Sequence, residues 1–287
     1  MNIKNFIDLH VHVGPEALPR RYTVASLAKS EQGKLSEVVC KNHFYSTVPM
    51  VEALKSGLLI GSIVLNNYVG GLNADVVRAM ADLSSRSIVV WFPTINATNF
   101  LEKSEFEIPP EWVAPGFQSK RSSEVQGIVI LENGNLTIPA VKVLEAIKEK
   151  DCILATGHIS WQETEKLVDE AIRMGIQKII VTHPIYQKVA MPVEVQKRLA
   201  SMPGVFIESN YAMYLIDKIP IQEIVRQIEA VKTENCIISS DMGQVNTPSP
   251  SEGLQNFTQL LLKEGLTKEE IEVMGVLNPR KLLGKNI

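Results

Sequence analysis

The 287-residue chain contains five histidines, and each lies in a short run rich in Ile, Val and Leu. His10 and His12 close FIDLHVHV, His43 closes EVVCKNHF, His158 closes CILATGHI and His183 closes KIIVTHPI. Such runs read as strands. Residues two apart on a strand leave the same face, so His10 and His12 project together while Val11 turns away. Two imidazoles on one rigid edge can chelate a divalent cation. Asp241 adds a carboxylate at the end of CIISSDMG. Imidazole with carboxylate suits Zn first, with Mn, Fe, Co or Ni as substitutes. A lone histidine at a strand end is usually a hydrogen-bonded loop residue. All five in the same position point instead to a metal centre of one or two ions.

For these residues to meet, their strands must converge. Eight apolar runs occur: FIDLHVHV, EVVCKNHF, GSIVLNNYV, SIVVWFPT, CILATGHI, KIIVTHPI, GVFIESNY and CIISSDMG. Most are continuous, as in strands buried on both faces of a parallel sheet. Helical segments separate them. WQETEKLVDEAIRMG opens on a Ser160/Glu163 capping box, turns Leu167, Val168, Ala171 and Ile172 to one face and stops at Gly175. IPAVKVLEAIKEK turns Val141, Leu144 and Ile147 inward, PVEVQKRLAS begins at Pro192, and Thr267 with Glu270 forms a second capping box. His158, His183 and Glu208 are evenly spaced, at the length a strand–helix unit needs. The rhythm predicts a single α/β domain over 1–287, a (β/α)8 TIM barrel whose strand ends share one functional face. The polar stretch at about 95–127, after strand four, is expected to be an insertion over the barrel mouth. A doubly wound sheet would call for a Gly-rich turn after strand one. The chain has GPEALPRRY there.

In chain order, DLHVH on strand one, GH on strand five, TH on strand six and SSD on strand eight resemble the amidohydrolase superfamily. LNPRKLLG resembles its closing segment, so the resemblance spans Asp8 to Leu283. It implies a metal-dependent hydrolase of an uncharacterised branch. His10, His12 and Asp241 would hold one metal. His158 and His183 would hold a second, or one of them would complete a single site. Asp241 would also take a proton from the metal-activated water. Two-metal members carry a carboxylated Lys or a Glu at the end of strand four, where this chain has WFPTINATN. Strand two instead ends Lys41-Asn42-His43, with Lys41 and His43 on one face. His43 therefore joins the candidate ligands. Lys41 is expected in the site, either carboxylated and bridging or as an ammonium that binds an anion.

A catalytic Zn lowers the pKa of bound water from ~15.7 to about 7 and polarises the oxygen under attack. The expected reaction is hydrolysis of an amide, ester, lactone or related bond in a small molecule, with Asp241 as general base. Glu208 could protonate the leaving group, support a ligand or cap a helix. Asp8, read as sharing the face of His10 and His12, could orient a ligand ring or simply pack in the barrel. Arg20 and Arg21 are candidates for holding a substrate anion. Asn66, in the loop with Asn67, Gly70 and Gly71, and Gln244 are further substrate-binding candidates. Trp161 could wall the pocket or staple its helix. A single-metal decarboxylase, a metal-dependent phosphoesterase and a non-catalytic binding protein are the alternatives.

Composition excludes other classes. Hydrophobic residues make up 45% and charged residues 21%, an ordinary globular balance. A net charge of -3 gives no reason to expect nucleic acid or an anionic membrane surface as partner. No apolar stretch approaches the ~20 residues of a membrane span, and the N-terminus lacks the apolar core of a signal peptide. Cys40, Cys152 and Cys236 are scattered in or beside apolar runs, which suits buried thiols in a reducing cytoplasm. The sequence leaves open whether the protein is a homo-oligomer.

Overall fold

Eight parallel strands carry the candidate residues to one rim. The computed structural model describes residues 1–285. The strands are β1 (Ile7–His12), β2 (Glu37–Lys41), β3 (Leu59–Ile60, continuing past Gly61 as Ser62–Val64), β4 (Val89–Trp91), β5 (Ile153–Ala155), β6 (Ile179–Val181), β7 (Val205–Asn210) and β8 (Cys236–Ser239). They pair in chain order from β1 to β8. The ladder then returns to its first strand. Val11 bridges Met242 in parallel, His12 N–H donates to the Met242 carbonyl at 2.7 Å, and Asp241 N–H donates to the His10 carbonyl at 2.9 Å. This is the (β/α)8 arrangement that the rhythm of apolar runs predicts.

The strands are continuous apolar runs because both faces are covered. Alternate residues, including Ile7, Val39, Ile60, Val89, Trp91, Ile153, Ile180, Phe206 and Ile237, pack together inside the ring. The residues between them join a larger cluster beneath the helices. At Gly61 the β2–β3 ladder opens and the Thr47 hydroxyl enters it. That hydroxyl donates to the Cys40 carbonyl at 2.7 Å and accepts from Ser62 N–H at 2.9 Å, which satisfies the ladder groups the break frees.

Local signals place the helices as expected. Ser160 and Glu163 form the capping box of helix Trp161–Arg173, and Thr267 and Glu270 that of Lys268–Glu272. Two details differ. Pro192 is the N-cap of helix Val193–Ala200, not part of its first turn. In helix Ile138–Glu149, Val143 is buried with Leu144 and Ile147, whereas Val141 is only half-buried.

A larger difference lies in β1, whose register against β2 shifts between Asp8 and Val11. Ile7 and Leu9 belong to the inner cluster, yet Val11 belongs to the outer one. The irregularity therefore turns Leu9 and His10 inward in succession and breaks the strict alternation. Asp8 consequently does not share the face of His10 and His12. It lies between β1 and β8, accepting Ser240 N–H at 3.0 Å and His10 N–H at 3.2 Å. Burial pushes its carboxyl up to about 7. It orders backbone and orients no imidazole ring.

The chain between β4 and β5 contains helix Thr98–Glu102, single turns at Pro110–Trp112 and Ser122–Glu124, and a small antiparallel ladder between Leu131–Glu132 and Asn135–Leu136. Among the described residues no helix is long and apolar enough to cross a membrane.

Candidate metal centre

The site is built around His10. Its Nδ1 lies 2.9 Å from Glu208 Oε1, and that same carboxylate accepts the Ser239 hydroxyl at 2.7 Å and the His183 backbone N–H at 3.1 Å. A carboxylate can only accept, so the His10 proton resides on Nδ1 and Nε2 keeps its lone pair, which the Lys41 ammonium meets at 2.9 Å. That lone pair faces Asp241 Oδ1 at 3.2 Å. His12 Nε2 faces the same oxygen at 3.0 Å, and Asn210 Nδ2 holds the other Asp241 oxygen at 3.3 Å. One donor atom each from His10, His12 and Asp241 thus lies within 4.8 Å of the others. A second group, His10, His183 and Glu208, meets the same spacing. Its Glu208 oxygens are already engaged by three hydrogen-bond donors, so the first group has the better-placed lone pairs.

The five imidazoles form a circuit. Ring centroids are 5.3 Å apart for His10–His12, 4.8 Å for His12–His43, 6.4 Å for His43–His158, 5.1 Å for His158–His183 and 5.7 Å for His183–His10. Burial, with the positive charges of Lys41 and Arg20, holds His10 and His12 well below the usual histidine range. Burial likewise lowers His43 and His158 well below it, and His183 to about 3. Neutral imidazole is the form that binds metal. The Nδ1 atoms of His12, His158 and His183 are buried and have no hydrogen-bond partner. Unpartnered imidazole nitrogens beside a carboxylate are the donor set a divalent cation requires, so the residues present fit such an ion.

His43 differs from the other four: its Nδ1 is 2.8 Å from Thr94 Oγ1, and it belongs to neither group of converging donors. Lys41 is fully inside the site. Its Nζ lies 2.9 Å from His10 Nε2 and 4.2 Å over the Trp91 ring. Burial lowers it to about 8, against the pull of Asp241 and Glu208. The same burial pushes Asp241 well above the ordinary carboxylate range.

A cavity of about 480 Å³ opens above the circuit. Arg20 and Gln244 line it together with Lys41, Asp241 and all five histidines. Gln244 Nε2 is tied to the Asp241 carbonyl at 3.2 Å, so it braces the loop that carries the carboxylate. Three expected contacts lie elsewhere. Arg21 points outward, donating to the Thr247 carbonyl at 2.5 Å and lying over Tyr22, because adjacent extended residues face opposite ways. Asn66 is buried beside the site and spends its amide on the His43 carbonyl at 3.1 Å and on the Thr94 hydroxyl at 2.8 Å and N–H at 2.9 Å. Glu208 lies beneath the rings, with one oxygen on His10 Nδ1 and the Ser239 hydroxyl and the other on the His183 N–H. It performs the ring-orienting task considered for Asp8. Trp161 packs against the outer core. Trp91, which no motif singles out, is the indole of the site, with its ring 4.6 Å from that of His10. Its two-residue offset from inward-facing Val89 is the signal that could have found it.

Gly157 lets β5 deliver His158. It has φ +65, and an added Cβ would lie 2.3 Å from the Phe92 carbonyl oxygen. The backbone there cannot yield, since His158 N–H donates to the Pro93 carbonyl at 2.9 Å. Gly157→Ala is expected to cost more than about 2 kcal/mol, seen as a lower urea midpoint. An unchanged midpoint would contradict the close approach.

The family model described as "Family of unknown function (DUF6282)" matches residues 5–208. The chain belongs to DUF6282. In this DUF6282 member the matched span contains all five histidines, Lys41 and Glu208, and ends before Asp241. No curated protein matches the sequence. Solved structures do match its fold. One, of a probable 2-pyrone-4,6-dicarboxylic acid hydrolase from Acinetobacter baumannii with citric acid bound, has a TM-score of 0.61 at 11% identity, covering 98% of this chain and 99% of that one. An amidohydrolase from Pseudomonas aeruginosa gives 0.60 at 11% identity, covering 98% and 97%. A probable dipeptidase from the same organism gives 0.59 at 11% identity, covering 98% and 94%. This DUF6282 chain therefore shares its fold with these structures along nearly its whole length.

Proposed function

We propose that the protein is a metal-dependent hydrolase acting on an amide, ester, lactone or related bond of a small molecule. The observation that carries this reading is the meeting of His10 Nε2, His12 Nε2 and one Asp241 oxygen at the barrel rim, with the His10 lone pair aimed there by Glu208. A divalent cation, zinc first by its donor set, would be held by His10, His12 and Asp241 and would supply Lewis acidity and a more acidic water. Glu208 keeps the His10 proton on Nδ1. Asn210 steadies the Asp241 carboxylate, which serves as general base for the attacking water and returns the proton to the leaving group. Lys41, as an ammonium on the Trp91 face, lies at the cavity floor and stabilises negative charge growing on the substrate. The fold neighbours described as amidohydrolase, dipeptidase and dicarboxylic acid hydrolase support the reaction class. Free, buried Cys40, Cys152 and Cys236 support a cytoplasmic location.

Metal-loaded protein should turn over at least one member of a panel of nitrophenyl esters, nitroanilides and lactones. Asp241→Asn should lower kcat by roughly 10²–10⁴. Chelation should abolish turnover and lower Tm, because an ion at a hundred times its Kd contributes about 2.7 kcal/mol to stability. Metal-free protein that keeps its turnover, or an Asp241→Asn variant with unchanged kcat, would remove the reading.

A further inference from the structure

The cavity above the circuit has an apolar wall that includes Leu18, Phe100, Ile108, Trp112, Met213 and Ile216. Its charged lining is Arg20, Lys41, Glu107, Glu111, Asp217 and Asp241. Neither cation is left for a remote substrate anion. The Arg20 side chain, 3% exposed, pairs with Glu16, and Lys41 lies between His10 and Trp91 in the field of Asp241 and Glu208. Glu107 is committed too, accepting from the Tyr68 hydroxyl at 2.9 Å and from the Asn96 amide. Glu111 stands exposed.

Asp217 is different. Among the described residues its carboxylate accepts no hydrogen bond and makes no ion pair, although it is half-buried against the cavity. Lys188 is the cation whose field reaches it, but the Lys188 ammonium is held by the Ser104 hydroxyl and lies 3.8 Å over the Phe100 ring. Burial pushes Asp217 up to about 6, which leaves it charged at neutral pH. A half-buried carboxylate without a partner is costly, and a cation removes that cost. Asp217 is also tied to the reaction centre. It follows helix Tyr211–Leu215, whose N-cap is Asn210, the residue that holds Asp241.

Resting on the hydrolase reading, we propose that Asp217 is a cation-binding subsite. The substrate carries a protonated amine seated on this carboxylate, and its apolar body lies along Phe100, Ile108 and Trp112. A dianionic substrate finds no second cation beyond Lys41, because Arg20 is paired with Glu16.

Three chromogenic anilides of similar length test the charge preference: the 4-nitroanilides of 6-aminohexanoic acid and hexanoic acid, and the mono-4-nitroanilide of adipic acid. They end in an ammonium, a methyl and a carboxylate. The expected order of kcat/KM is ammonium, then methyl, then carboxylate, with the first step about tenfold or more, or 1.4 kcal/mol. Asp217→Asn should bring the ammonium-to-methyl ratio near unity, and Asp217→Lys should favour the adipic anilide. Binding of hexylamine, 1-hexanol and hexanoate to metal-loaded protein, read as Tm shifts, gives the same comparison without turnover. Selective stabilisation by hexylamine that Asp217→Asn abolishes, in a protein that cleaves nothing, would support the subsite and count against the hydrolase reading. Cleavage without preference for the ammonium would overturn the subsite and leave the hydrolase reading standing. Absence of both cleavage and hexylamine binding would overturn the subsite.

Discussion

Replacing His10 and His12 together by alanine is expected to lower the bound divalent metal by about tenfold or more, measured as metal per chain by elemental analysis. The size of the effect follows from the donor geometry. The two Nε2 atoms lie 3.2 and 3.0 Å from one Asp241 oxygen, so the double substitution leaves a single carboxylate of that group. Each ring is buried and held neutral, so neither needs to lose a proton before it binds. His43→Ala is the informative control. Its Nδ1 is engaged with Thr94 and it lies outside both donor groups, so metal content should hold. Unchanged stoichiometry in the double variant would mean that the ion binds elsewhere or not at all.

Glu208→Ala is expected to weaken metal binding by roughly 10–100-fold and to destabilise the fold by about 3–5 kcal/mol. Three donors converge on this carboxylate: His10 Nδ1, the Ser239 hydroxyl and the His183 N–H. Alanine leaves all three buried and unpaired, and it frees His10 to place its proton on Nε2, whose lone pair the metal needs. Glu208→Gln keeps one accepting oxygen and should fall between the two. Urea unfolding and competitive metal titration read the two effects separately. If Glu208→Ala bound metal as the wild type does, the tautomer argument would be wrong even where stability fell.

The histidine pattern was legible because strand direction is local information. His10 and His12 at i, i+2 must share a face wherever the strand is placed. The rim followed from the eight-run rhythm, since parallel βα units put all strand ends on one side. Arg21 and Asn66 were misjudged because location in a rim loop does not say which way a side chain turns. Asp8 was misjudged because alternation was carried through a register shift that the apolar pattern IDLHVH does not display. Trp91 carries no mark in the sequence, because an indole at a strand end is no metal ligand and reads as core.

From sequence alone came the barrel, its helix caps at Ser160 and Thr267, and the identity of the imidazoles and carboxylate that gather at its mouth. These rest on periodicity and on contacts between residues close in the chain, which do not depend on how distant strands are packed. Only the tertiary structure decided which nitrogen of His10 carries the proton, that Lys41 lies on Trp91, and that Asp217 is left without a hydrogen bond or ion pair among the described residues. The residue that orients His10 is 198 positions away along the chain. Proton position and charge pairing depend on neighbours brought together by ring closure, and such neighbours leave no spacing to read.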